Sequence, residues 1–295
     1  MSKVTAALVA FSLAALSISA TPSAISHKME RKVKLHGRNK STAEERAIIN
    51  LAGQGKAEES LRECRRCLSK QPNDNHIKLL EAQILRFLIE DTEAQKRLEE
   101  LRSAKDLTGE ELHAAAMTAD GLEQWKLTKY FAEKSLPLIA EEDRYRLHLQ
   151  LGDAFSKLNL FNEAENNYLK AFKLKPSGRA LDTLIYFYMV RKKCDLVVKY
   201  CTLSLDRNKD DNSMIIVKHH RFRGESLLQL GRYKDSLADF DYCLKKTPSD
   251  SYIYRKRAEA YEKLGRKKDA EADRLRANAI EKSALESDAL FGRVK

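Results

Sequence analysis

The sequence predicts an all-α protein assembled from repeated helix pairs, and three observations carry that expectation. Helix breakers are scarce: the 295 residues contain 11 Gly and 5 Pro, while the strong helix formers Ala, Leu, Lys, Glu and Arg are abundant. A short motif recurs at a fixed interval, since Leu230-Gly231-Arg232 returns 34 residues later as Leu264-Gly265-Arg266, with Asp235 matched by Asp269. Pro72, Pro176 and Pro248 fall at one place near the end of a repeat, where a residue lacking an amide proton stops the second helix. So few breakers also argue against an all-β sandwich and against a Pro/Gly-rich disordered chain.

Residues 1–20 hold Lys3 and an apolar run over 4–20, followed by Thr21 and Pro22. This is the layout of a secretory signal peptide cleaved after Ala20, with Ile18 and Ala20 at the −3 and −1 sites, and it predicts export to a periplasm, a lumen or the exterior. The alternatives are an organelle transit peptide and an uncleaved membrane anchor. For an anchor, a run of about 17 residues containing Thr5, Ser12, Ser17 and Ser19 is short against a ~30 Å hydrocarbon core. Residues 21–40 form a basic arm. Within it Lys28, Arg31, Lys32, Lys34, Arg38 and Lys40 stand against Glu30, giving +5 of the formal net charge of +11. Such an arm is either a solvated linker or a contact to an anionic surface. Asn39-Lys40-Ser41 is a glycosylation sequon, meaningful only if the host glycosylates exported proteins.

Extending the 34-residue frame backwards places repeats near 41–74, 75–108, 109–142, 145–178, 178–211, 217–250 and 251–284, with 285–295 as a C-terminal capping helix or tail. The eighth place is small (Ala82, Ala116, Gly152, Gly224, Ala258) and the eleventh large (Leu85, Phe155, Tyr188, Leu227, Tyr261). The twentieth is small (Ser60, Ala94, Ala164, Ser236, Ala270) and the twenty-fourth bulky (Leu98, Tyr168, Phe240). Small residues let two antiparallel helices approach, and large ones fill the gaps of the next repeat. Cys64 and Cys201 occupy the bulky twenty-fourth place, and Cys67 and Cys243 the twenty-seventh, so four of the five cysteines read as compact core residues. The odd, sparse set is not a disulfide framework, and the Cys64–Cys67 pair has no neighbouring second pair to complete a zinc site.

Gly224, Leu227, Gly231, Tyr233, Ser236, Phe240, Cys243 and Pro248 together resemble the tetratricopeptide repeat family, and the resemblance covers about 41–284. It implies about seven helix-turn-helix units stacked in a right-handed superhelical solenoid with a concave face that binds peptide or protein. In that family the second, fifth, ninth and twelfth residues of each first helix face the ligand. Here these include Asp153, Asp182, Glu225 and Glu259, beside the candidate partner-binding residues Arg146, Leu149, Arg179, Tyr186, Lys218, Arg221, Tyr252 and Arg255. The charges are mixed, and the two tyrosines are of the kind enriched at interfaces. The carboxylate-clamp pattern of chaperone-binding members is not met: Leu149, Asp153, Thr183, Lys218 and Phe222 stand at its places, and only Lys218 fits. Other departures are Ala119 and Pro137 in the weak copy 109–142, a spacer over 212–216, and polar Arg274 in the terminal repeat.

No phosphate-binding glycine loop, dinucleotide fingerprint, zinc-protease motif, nucleophile elbow or EF-hand is present. His219 and His220 are neighbours on a helix, pointing about 100° apart, and cannot chelate one ion together. The expectation is a non-enzymatic scaffold or adaptor with no catalytic residues, metal or cofactor. The alternatives are a cytosolic co-chaperone-like adaptor and an RNA-binding helical-repeat protein. The last is suggested by a pI of about 9.3 and the arm, but few groove aromatics are available for base stacking.

Overall fold

A computed structural model describes residues 42–176, 178–208 and 213–290, which contain fourteen α-helices, two short 3-10 turns and no strand. The signal-like run, the basic arm and residues 291–295 lie outside the described residues. The chain divides into two compact units at 174/175. The first unit contains α1 (Ala43–Gly53), α2 (Ala57–Lys70), α3 (Asn75–Phe87), α4 (Asp91–Glu100), α5 (Gly109–Gly121), α6 (Trp125–Ser135), α7 (Arg144–Lys157) and α8 (Phe161–Leu174). The second contains α9 (Arg179–Val190), α10 (Cys194–Arg207), α11 (Met214–Gln229), α12 (Tyr233–Lys246), α13 (Ser251–Lys263) and α14 (Lys267–Leu290). Each unit is a solenoid of helix pairs.

Every pair is joined by three residues, and the middle one always has positive φ: Gly55, Ile89, Glu123, Asn159, Lys192, Gly231 and Gly265, between 54° and 78°. The next amide then reaches back to the eleventh carbonyl of the repeat, as in Glu90 N to Leu85 O and Arg232 N to Leu227 O, both 2.9 Å. This closes the first helix with a left-handed cap and turns the chain into the second. Glycine, or asparagine, adopts that conformation with little strain; Ile89, Glu123 and Lys192 do not. Helix starts are capped too. Thr42 and Thr108 form capping boxes with Glu45 and Glu111, and Asp74 and Asp250 accept first-turn amides of α3 and α13.

Three expectations change. The spacer is not a loop throughout: Met214, Ile215 and Ile216 form an extra first turn of α11. Residues 285–290 continue α14 rather than form a separate cap. Pro137 does not interrupt a helix, because α6 has already ended at Ser135.

Packing between paired helices follows the eighth and twenty-fourth places. Gly152 lies against the Tyr168 ring and Gly224 against Phe240, so close that a Cβ at either position would collide with the facing ring. Polar groups repeat with the same phase. In the second unit Arg223 grips buried Asp239 with two bonds of 2.8 and 2.9 Å and reaches Thr202 at 3.2 Å. Thirty-four residues on, Arg257 grips Asp273 at 2.7 and 2.8 Å and reaches Asp241 at 2.6 Å. The first unit uses these places with the signs reversed: buried Glu81 accepts from Arg97 at 2.6 Å and from Arg65 at 3.4 Å. Each triplet ties the second helix of one repeat to both helices of the next. A carboxylate removed from water is thereby kept paired.

Candidate functional site

In the second unit the first helices α9, α11 and α13 present a face of aromatic rings and cations. Tyr186 is 57% exposed, and the Lys218 ammonium stands 5.7 Å from its ring centroid and 5.3 Å from that of Phe222. Arg221 lies 5.5 Å from the Phe222 centroid and 5.8 Å from that of Tyr252, and Lys256 also lies 5.8 Å from Tyr252. These are cation–π distances, and they hold the positive groups along the ring faces. Arg221 Nε is 3.5 Å from Glu225, which also accepts a hydrogen bond from the Tyr252 hydroxyl. Burial pushes the Glu225 carboxyl above its ordinary range; Arg221 and the Tyr252 hydroxyl pull it back only in part. Burial, then the Glu225 charge, pushes Tyr252 up to about 12. Lys218 and Arg179, both exposed, have no carboxylate partner among the described residues.

The other sequence-identified residues are differently placed. Arg255 is turned onto α14, where Glu281 and Asn278 hold it. In the first unit Arg146 is exposed and donates to the Tyr145 hydroxyl at 3.1 Å. Leu149 is a correction: at 4% exposure it belongs to the core and presents nothing to a ligand. Its fifth place in α7 is covered because that helix is buried nearly all round, from Leu147 through Gly152. Asp153 is engaged by the Tyr168 hydroxyl at 2.8 Å, and Asp182 by His219 at 3.2 Å.

The phase rule also reaches first-unit residues that were not singled out. Gln83 and Arg86 hold the ninth and twelfth places of the second repeat. The Gln83 amide oxygen and Arg86 Nε are buried without a hydrogen-bond partner, and the Arg86 guanidinium lies against Gly121. Exposed Met117 stands at the ninth place of the third repeat. Burial and the nearby Arg146 cation hold His113 below the usual imidazole range. Lys256, at a sixth place, is outside the phase rule and was recognisable only from its ring contact.

The polar clusters inside the second unit join helices. Ser204, His219 and Asp182 are linked in hydrolase order, at 2.9 and 3.2 Å, but the Ser204 hydroxyl is buried beneath α11 and closed to a substrate carbonyl. His220 turns the other way, onto Asp239 at 2.7 Å and the Tyr242 ring. All five cysteines are free thiols, and burial pushes Cys201 and Cys243 up to about 12, far from a nucleophilic state at neutral pH. Among the described residues no cluster of three His, Cys, Asp or Glu side chains could hold a metal ion, and no helix is long and apolar enough to cross a membrane.

Paired helices, left-handed three-residue turns and first-helix faces lined with rings and cations define a helical-repeat protein. A family model, tetratricopeptide repeat, matches residues 145–177. A search among curated proteins returns no match. Solved structures share the fold. A tetratricopeptide repeat protein from Parabacteroides merdae is 14% identical over 80% of this chain and 91% of its own, with a TM-score of 0.51. The crystal structure of MamA is 14% identical over 59% and 92%, with a TM-score of 0.51. YrrB, described as a TPR protein with an unusual peptide-binding site, is 16% identical over 66% and 97%, with a TM-score of 0.50. The chain thus has the tetratricopeptide-repeat fold.

Proposed function

We propose that the protein is a non-enzymatic, exported scaffold that binds an acidic, extended peptide or protein segment on the first-helix face of its second unit. The observation that carries this reading is the row Tyr186, Lys218, Arg221 and Tyr252. Two cations stand between two exposed rings along it, and Lys218 has no carboxylate of its own. A peptide carboxylate meeting Lys218 would complete a pair, and an adjacent apolar side chain would cover the Tyr186 ring. Because these groups sit on packed helices, little ordering entropy is lost on binding. The peptide-binding site named for YrrB is consistent with this use of the fold. Export rests on the apolar run over 4–20 with its small-residue end.

The test is selection from a peptide library, followed by titration against the full chain. Reversal of two exposed, unpaired cations, Arg179→Glu with Lys218→Glu, should weaken a selected acidic peptide about tenfold or more while the circular dichroism stays unchanged. Undiminished affinity in that variant would dismiss the face. Intact mass of the protein from fractionated cells tests export: a chain beginning at Thr21 supports it, and an intact chain in the cytosol refutes it.

A further inference from the structure

The turns between paired helices form one edge of the second unit, and that edge is rich in lysine. Lys192 and Lys193 lie in the first turn, Lys234 just after the second, and Lys263, Lys267 and Lys268 flank the third. All six are exposed, and none has an acidic partner among the described residues. The turns share this edge because they occupy one place in the 34-residue frame. A direct contact joins two of them: the Cys194 thiol, beside the first turn, donates to Gln229 Oε1, beside the second, at 3.0 Å. The nearby carboxylates are largely committed. Asp235 and Asp269 pair with Arg232 and Arg266, and Glu262 with Arg274, which leaves Asp195 to face six ammonium groups. The matching turns of the first unit carry Lys56, Glu90 and Glu123, so this charge is no requirement of the turn itself.

We propose that this lysine edge docks the protein on an anionic lipid bilayer. Two features favour a bilayer over a nucleic acid. Val190, 62% exposed, and Leu230 stand beside the lysines as aliphatic side chains able to enter the headgroup layer. The tyrosines near the edge are not free to stack on bases: Tyr233 packs on the core, and Tyr261 lies beneath the Arg257 and Arg266 guanidinium groups. Lysine ammonium groups need no fixed geometry to attract lipid phosphates, as a fluid surface demands. The edge is independent of the peptide-binding face.

The full chain is sedimented with vesicles of phosphatidylcholine alone and of phosphatidylcholine mixed with phosphatidylglycerol. The ratio of the two partition coefficients cancels whatever the apolar run over 4–20 contributes to both. Each lysine at an anionic surface contributes about fivefold, so K192E/K193E/K267E/K268E should lower that ratio about a hundredfold or more. A control with equal charge change in the first unit, K96E/K105E/K126E/K170E, should lower it far less. Equal losses in both variants would reduce the effect to net charge and overturn the proposal, as would no loss in either. An unchanged vesicle ratio with lost affinity for single-stranded RNA would overturn it in favour of nucleic acid.

Discussion

The two units share a frame and differ in nearly everything the frame leaves free. Residues 42–174 carry 20 basic and 24 acidic side chains, whereas residues 175–295 carry 27 and 18. The mild basicity of residues 42–295 therefore conceals an acidic unit followed by a strongly basic one. Where the cores carry a charge pair, the difference is one of sign. The seventh place is Glu81 in one unit and Arg223 or Arg257 in the other, and the twenty-third answers with Arg97, Asp239 or Asp273. Other repeats fill the seventh place with Ala47, Ala115, Leu151 or Leu184, so packing does not demand charge there; where a pair is present it is opposite in sign, and either helix can hold the negative member. Outside the cores nothing enforces balance, so the lysine edge and the ring-and-cation face of the second unit are features that the fold does not demand.

The largest expected effect comes from breaking one such pair in each unit. Asp239→Ala leaves Arg223 with Thr202 alone and His220 without its carboxylate, whereas Glu81→Ala leaves Arg97 to Glu100 and Arg65 to Glu93. Loss of one partner of a buried pair costs about 3–5 kcal/mol. Asp239→Ala should lose about that much by chemical denaturation and Glu81→Ala less, because its arginines keep Glu100 and Glu93, with hydrogen-exchange protection falling first in α11 and α12 for one and in α3 and α4 for the other. Losses below about 1 kcal/mol would show that the triplets are ornaments of the packing rather than ties between repeats.

Most of this architecture was legible in the sequence because a 34-residue period repeats seven times, and small-to-large facing places such as Gly152 and Tyr168 leave a clear mark. The turns were legible only where glycine or asparagine filled the left-handed place; Ile89, Glu123 and Lys192 hide it, since packing on either side overrides their local preference. The extra turn at Met214–Ile216 was hidden for a related reason, because an insertion that is itself helical looks like a spacer when only the frame is followed. For the candidate face, the phase rule found Tyr186, Lys218, Arg221 and Tyr252. It could not tell that Leu149 turns inward or that Arg255 is held by α14, because both depend on which neighbouring helix covers the side chain.

The hidden turns offer a smaller test with the opposite sign. Ile89 is β-branched, 81% exposed and left-handed at φ 66°, so its conformation is strained with no burial in return. Ile89→Gly should stabilise the first unit by about 1 kcal/mol, and Gly231→Ile, its mirror in the second unit, should destabilise by a similar amount. Denaturation midpoints moving in the same direction for both would mean that the turn is not held in the left-handed region.

The smallest effect separates the units by pH. Glu111 in the first unit is buried, which alone would push its carboxyl up. The hydrogen bonds from His76 and Thr108 outweigh that and hold it below its ordinary value of 4.5. A depressed carboxyl contributes stability that is fully present above 4.5 and is lost as pH falls through the folded-state value. Glu225 in the second unit is shifted upward by burial, so its charged form is penalised at neutral pH and the penalty lifts as pH falls through a folded-state value above 4.5. Between neutrality and pH 4.5, acidification should therefore bring Glu225→Gln and the unmodified protein together in stability, whereas the Glu111→Gln difference, which includes loss of the charge facing His76, should not shrink. Below 4.5 the Glu111→Gln difference should shrink in turn. Denaturant titrations of the three proteins across that range read these slopes directly. Two differences that change together would show that one common environment, rather than opposite local ones, sets both carboxyls.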